Sequence, residues 1–262
     1  MKNNGSLRRL LLAAPFLACF SSCNRSPEHY FEQGNRMAAS GRMEKAIALY
    51  NRALLLKKGY PEALTSRGLA YERIGDRQKA RFDYEKAVEI APYYAPAQNN
   101  LAAVYMDMGD YRGALRRLSA LLSKGPDNAH ARLNRGICLY RLSDHAGALP
   151  DLSRALELDP GLTLARYHRA LCYSKLGYAA QAAADLDVLL GGFPEVAALR
   201  FERGRLRYNS GDLAGAYEDF EKAAALRPGE ASYLYWLARA ESGRGAYASA
   251  LEHLDSALKA SP

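Results

Sequence analysis

GDRQKARFDYEKAVEIAP, Gly75–Pro92, is nearly restated by GDLAGAYEDFEKAAALRP, Gly211–Pro228, which begins 136 residues further on. That separation is four intervals of 34, and rows of 34 residues starting at Pro27 fill the chain to Pro262 with no insertion or deletion. Column 20 of these rows is always alanine: Ala46, Ala80, Ala114, Ala148, Ala182, Ala216 and Ala250. Column 8 is always small, with Gly34, Gly68, Gly136 and Gly204 alternating with Ala102, Ala170 and Ala238. Column 15 is glycine except for Ser143, and column 32 is proline except for Lys58.

Each column has a physical reading. A glycine closing an apolar-periodic run supplies a left-handed helix cap, and the aspartate after it in four rows (Asp76, Asp110, Asp144, Asp212) accepts the free N–H groups of a new helix. Each row is therefore helix, tight turn, helix, with proline closing the second helix. The large residues of column 24, from Tyr50 and Tyr84 to Phe220 and Leu254, fill the space that the small columns leave. Two irregularities stand out. Pro150 falls inside a second helix and is expected to kink it or shift its start, and Gly191-Gly192 weakens the end of another, a place for a hinge.

With small residues at columns 8 and 20, aromatics at 11 and 24 and proline at 32, the chain resembles the tetratricopeptide repeat family. The resemblance implies an all-α, right-handed α-solenoid of seven helix-turn-helix repeats over residues 27–60, 61–94, 95–128, 129–162, 163–196, 197–230 and 231–262. Two departures accompany it: column 4 lacks the family's tryptophan, and column 7 is usually arginine. The second has an internal explanation. Arg67, Arg135, Arg169 and Arg203 occur where column 23 is Asp83, Asp151, Asp185 and Asp219, and the two columns change together in the other rows. Columns 7 and 23 lie opposite each other in a hairpin turning at column 15, so each pair is predicted to form a bridge that sets register more than stability.

Residues 1–22 stand outside the repeat. Lys2, Arg8 and Arg9 precede the apolar run Leu10–Phe20, too short for a permanent span and suited to a signal peptide. Ser21-Ser22-Cys23 resembles the lipobox of bacterial lipoproteins, which implies lipid attachment at Cys23 with Cys19 as the competing acceptor; residues 23–26 would then be a short tether. The alternative is an ordinary secretory signal leaving a soluble, unlipidated adaptor. Lipidation implies a place in the bacterial envelope facing the periplasm, and Asn24 after the cysteine leans toward the outer membrane.

The formal net charge of +8 invites a nucleic-acid reading, but seven of those charges lie in residues 1–60, so no basic face runs along the repeats. Cys138 and Cys172 share column 10 one row apart, beyond disulfide reach, and read as small buried residues. No metal-ligand spacing, phosphate loop or nucleophile motif is present, so neither a cofactor nor an enzyme is expected. Function falls to a partner-binding groove. In the family, columns 2, 5, 6, 9, 12, 13 and 34 face it, which here nominates Tyr167, Phe201, Arg205, Tyr208, Tyr235, Trp236 and Arg239. A second candidate is the polar run Asn100, Asn134 and His168 in column 6. The carboxylate clamp of chaperone-tail readers is not matched: the nearest triplet offers Phe31, Asn35, Ser66, Pro96 and Asn100. No polar capping helix follows column 32, so Leu251 and Leu258 are expected to be partly bare and to invite self-association or a partner. The reading is a lipid-anchored scaffold that binds a protein or peptide, resembling by architecture the lipoproteins that assist secretin or pilus assembly or hold cell-wall hydrolases, with a transport accessory handling a small ligand as the alternative.

Overall fold

The computed structural model describes residues 26–261; Cys19, Cys23 and the rest of residues 1–25 lie outside them, and with them the signal and lipidation readings. The described residues form fourteen helices: α1 (Pro27–Ala39), α2 (Met43–Leu56), α3 (Pro61–Arg73), α4 (Arg77–Ile90), α5 (Ala95–Asp107), α6 (Tyr111–Lys124), α7 (Ala129–Arg141), α8 (His145–Leu158), α9 (Thr163–Lys175), α10 (Ala179–Gly192), α11 (Ala197–Asn209), α12 (Leu213–Leu226), α13 (Ala231–Gly243) and α14 (Tyr247–Ala260). They pack as consecutive hairpins, each also touching the next, as in an α-solenoid. No helix among the described residues is long and apolar enough to cross a membrane.

The turns follow from their residues. Gly41, Gly75, Gly109, Gly177, Gly211 and Gly245 all take positive φ, and Ser143 takes the same left-handed conformation at φ 65° without glycine's freedom. Asp76, Asp110, Asp144 and Asp212 each cap the following helix, accepting from the backbone N–H three residues on. The proline at column 32 is dispensable: α2 ends in the same column as α4, although Lys58 stands where α4 is followed by Pro92.

Columns 8 and 24 meet inside every hairpin that has glycine at column 8. A Cβ added at Gly34 would lie 2.5 Å from the Tyr50 ring, one at Gly68 2.5 Å from Tyr84, and one at Gly204 2.7 Å from Phe220. The three aromatic occupants of column 24 thus all face glycine, whereas alanine at column 8 always faces leucine. Between hairpins the core is continuous. Cys138 of α7 packs with Ala114 and Leu118 of the preceding hairpin, and Cys172 of α9 with Ala148 and Leu152. Both thiols are buried and free, and burial pushes each pKa up to about 11.

At both irregular spots the helix keeps its full length. Helix α8 runs unbroken through Pro150 and starts in register with the other second helices, so its start does not shift. Asp144 fixes that start, and Pro150 is solvent-exposed, where water satisfies the carbonyl it frees. Helix α10 keeps the full fourteen residues and ends on Gly192.

At the far end, Leu251 and Leu258 are 63% and 67% exposed, and Tyr247 on the same stripe of α14 is also exposed. The column of Leu258 is buried in earlier hairpins, at Leu122, Leu156 and Leu190, because the next hairpin covers it.

Candidate functional site

The arginine–aspartate pairs join the two helices of four hairpins. Arg67 meets Asp83 with two hydrogen bonds of 2.8 and 2.6 Å, and Arg135–Asp151, Arg169–Asp185 and Arg203–Asp219 repeat the same fork. Each of these aspartates is at most 5% exposed. Three of these arginines, Arg67, Arg169 and Arg203, also reach the second helix of the preceding hairpin, at Asn51 (2.6 Å), Ser153 (3.4 Å) and Asp187 (2.8 Å). One guanidinium therefore joins three helices and sets the phase between hairpins as well as within them. A second arginine from column 4 joins most of these sites: Arg132 at Asp151, Arg166 at Asp185 and Arg200 at Asp219, the last also held by Arg207 at 2.9 Å.

On this frame α9, α11 and α13 assemble an aromatic wall. Phe201 stacks on Tyr233 with ring centroids 4.7 Å apart, and Trp236 meets Phe220 at 5.8 Å, Tyr208 at 5.5 Å, Phe201 at 6.5 Å and Tyr235 at 6.2 Å. Phe220 is fully buried, so Trp236, itself partly buried, rests on the hydrophobic core. Two guanidinium groups share the Trp236 ring, Arg205 at 5.5 Å and Arg239 at 4.5 Å from its centroid; Arg239 also lies 4.9 Å from Tyr208.

Tyr167 and His168 lie beside this wall, and His168 packs edge-on against Tyr140 at 5.4 Å. Burial lowers the His168 pKa to about 4, and nearby Arg141 acts in the same direction, so this imidazole is neutral at pH 7. Its Nδ1 is buried without a partner. Glu202 lies at the centre, 3.3 Å from Arg205; burial raises its pKa while Arg205 and Lys175 pull it down. Glu202, Tyr140, Arg141 and Lys175 were not among the residues nominated from sequence. Glu202 sits in column 6 between His168 and Trp236, and that column was the signal available for it. Asn100 and Asn134 are half-buried and make no side-chain hydrogen bond among the described residues.

The opposite end of the molecule differs. Tyr60, buried against Phe31 at 5.2 Å, has Glu28, Glu62 and Glu32 around it, and burial together with these carboxylates raises its pKa. Lys57 lies over the Tyr60 ring at 4.2 Å and pairs with Glu28 at 3.7 Å. The clefts between hairpins open to solvent. One of about 430 Å³ joins Asn35 and Tyr50 to Ser66 and Arg73, and another of about 610 Å³ holds Glu72 and Asp107 beside Arg77 and Arg81. Among the described residues no group of histidine, cysteine and carboxylate converges to hold a metal ion.

Comparisons with known proteins agree with this geometry. Family patterns described as tetratricopeptide repeat match residues 99–163 and 201–262, and again residues 61–94, while one described as TPR repeat matches residues 34–75. No individual curated protein matches the sequence. Among solved structures, a tetratricopeptide repeat protein from Parabacteroides merdae superposes with a TM-score of 0.64 at 20% identity, over 90% of this chain and 93% of that one. PilW, a type IV pilus biogenesis factor, superposes with a TM-score of 0.68 at 24% identity, over 77% and 93% of the two chains. Pseudomonas aeruginosa pilF gives 0.64 at 22% identity, over 74% and 88%. At these identities the likeness is one of fold.

Proposed function

Because this chain belongs to the tetratricopeptide repeat family, we propose that it is a non-catalytic scaffold of seven repeats that grips an extended segment of a protein partner in its groove. Proteins of this family generally serve as interaction scaffolds. The observation that supports the reading is the cluster on α11 and α13, in columns that face the groove in this family, where two guanidinium groups and Tyr208 pack on the partly buried Trp236 ring. Aromatic and arginine side chains with most of their surface already desolvated are the usual anchors of protein recognition.

The N-terminal segment supports a place for this scaffold: lipid attachment at Cys23 would hold it on the periplasmic face of a bacterial membrane, the outer one in our reading. Only residues 24–26 would separate the anchor from α1, so the first hairpin would stand on the membrane surface. The fold likeness to a pilus biogenesis factor fits an envelope role. The bare stripe of Tyr247, Leu251 and Leu258 is in this reading a contact surface for a second copy.

Crosslinking from envelope fractions tests the groove: wild-type protein is expected to capture a partner that Trp236→Ala loses, and retention by the variant refutes the site. Palmitate labelling tests the anchor, with incorporation expected in wild type and absent in Cys23→Ala. Sedimentation of the wild type as a monomer refutes the self-contact.

A further inference from the structure

The groove is electrically polarised, and the polarity says what kind of segment fits it. At the α11–α13 end the cations outnumber their anions. Arg239 has three aromatic rings within 6 Å of its guanidinium and no carboxylate partner among the described residues. Arg205 meets Glu202 through one terminal nitrogen only, and its Nε is buried with no acceptor. A guanidinium held on a ring face, partly out of water and short of acceptors, is prepared for a carboxylate. Arg141 and Lys175 add positive charge to the same neighbourhood, as their effects on His168 and Glu202 show.

Around Tyr60 the balance is the reverse: Glu28, Glu32 and Glu62 gather there, with Lys57 over the ring and paired to Glu28. A uniform polyanion such as single-stranded nucleic acid would find its stacking and phosphate partners at Trp236 and then meet the three glutamates around Tyr60. A polypeptide with separated charges meets favourable partners at both ends.

We propose that the occupant is an extended polypeptide segment of split charge: a glutamate or aspartate side chain seats between Arg205 and Arg239, an adjoining aromatic residue lies against Trp236 and Tyr208, and basic residues lie toward the glutamates around Tyr60. At about 10 Å per hairpin the path covers on the order of 50 Å, or about 15 extended residues. This rests on the groove-binding reading above.

The probe is a fluorescein-labelled 16-residue peptide with a Glu-Trp-Glu block at one end and a Lys-rich block at the other, made in both chain directions. Binding to the full chain is followed by anisotropy beside an all-acidic peptide, a peptide with serine for every charge, and a 16-residue oligothymidylate. At least one direction of the split peptide is expected to bind about tenfold more tightly than each control. The Arg205→Glu/Arg239→Glu variant, checked for helicity by circular dichroism, is expected to reverse the preference at that end toward a Lys-Trp-Lys block, a gain that an unfolded protein could not produce. Equal binding of the serine peptide, tighter binding of the all-acidic peptide or oligothymidylate, or an unchanged preference in the double variant overturns the proposal. If such a result comes while Trp236→Ala still loses the crosslinked envelope partner, the groove reading stands and only the split-charge occupant falls; if Trp236→Ala retains that partner, the groove reading itself fails.

Discussion

Tyr60 and Trp236 are both aromatic side chains next to the groove, one near each end of the same repeating backbone, yet their surroundings are opposite. Tyr60 is buried with three glutamates around it and one lysine over its ring, whereas Trp236 is half-buried, lies against four other rings and carries two guanidinium groups. The columns that build the hairpins are alike in both regions, and what differs is the charged and aromatic residues that pack around each ring. The comparison teaches that in a solenoid the frame and the site are separate sets of residues, and each can be changed without the other.

The largest effect should come from breaking the frame under the aromatic end. Asp219→Ala leaves Arg203, Arg207 and Arg200 without their shared buried carboxylate, and removing one partner of a buried charge network costs about 3–5 kcal/mol. Arg117, at the same column of a hairpin without the bridge, lies over the Tyr105 ring and donates to its hydroxyl at 3.2 Å, with no carboxylate partner among the described residues, and Arg117→Ala should cost about 1 kcal/mol. Urea denaturation followed by circular dichroism distinguishes them, and similar losses would contradict the role given to the bridges.

Next in size is the site. Trp236→Ala should weaken partner binding by about 2–4 kcal/mol, some thirtyfold or more, while Asn100→Ala in the other half changes it less than about twofold. Titration calorimetry with the captured partner measures both. An Asn100 effect as large as that of Trp236 would move the site toward the first three hairpins.

A third test asks whether the frame is uniform. Gly68→Ala should destabilise by about 1–3 kcal/mol because the new methyl group meets the buried Tyr84 ring, whereas the reverse change Ala170→Gly, facing Leu186, should cost about 1 kcal/mol or less. Thermal melts read the pair.

The smallest effect is in pH. Because the folded pKa of His168 lies near 4, below its ordinary 6.5, the unfolded chain binds more protons between those values. The stability contributed there is fully present above pH 6.5 and is lost as pH falls toward 4. His168→Asn should flatten that part of the pH profile, and Tyr60→Phe at the acidic end should leave it unchanged.

Much of this was legible in the sequence because local chemistry fixes it. A glycine that needs positive φ, an aspartate three residues before the N–H it caps, and alanine wherever two helices approach are local demands, and 34-residue spacing repeats them in register. The arginine–aspartate pairs were readable for the same reason, since a hairpin turning at column 15 leaves columns 7 and 23 facing each other. For Pro150 the two outcomes a local rule allows, a kink or a shifted start, separate in the structure: the cap at Asp144 holds the start in register.

What the sequence by itself determined is thus the helices, the turns and the pairing inside each hairpin, all set by contacts close along the chain. Only the tertiary structure decided that Arg205 and Arg239 share one tryptophan ring, that Glu202 sits partly buried beside Arg205, and that Arg67, Arg169 and Arg203 each extend to a third helix. The first and last of these join residues of different hairpins, and their distances depend on the angle between successive units. That angle is a sum of side-chain packing over the whole interface, and no single column states it.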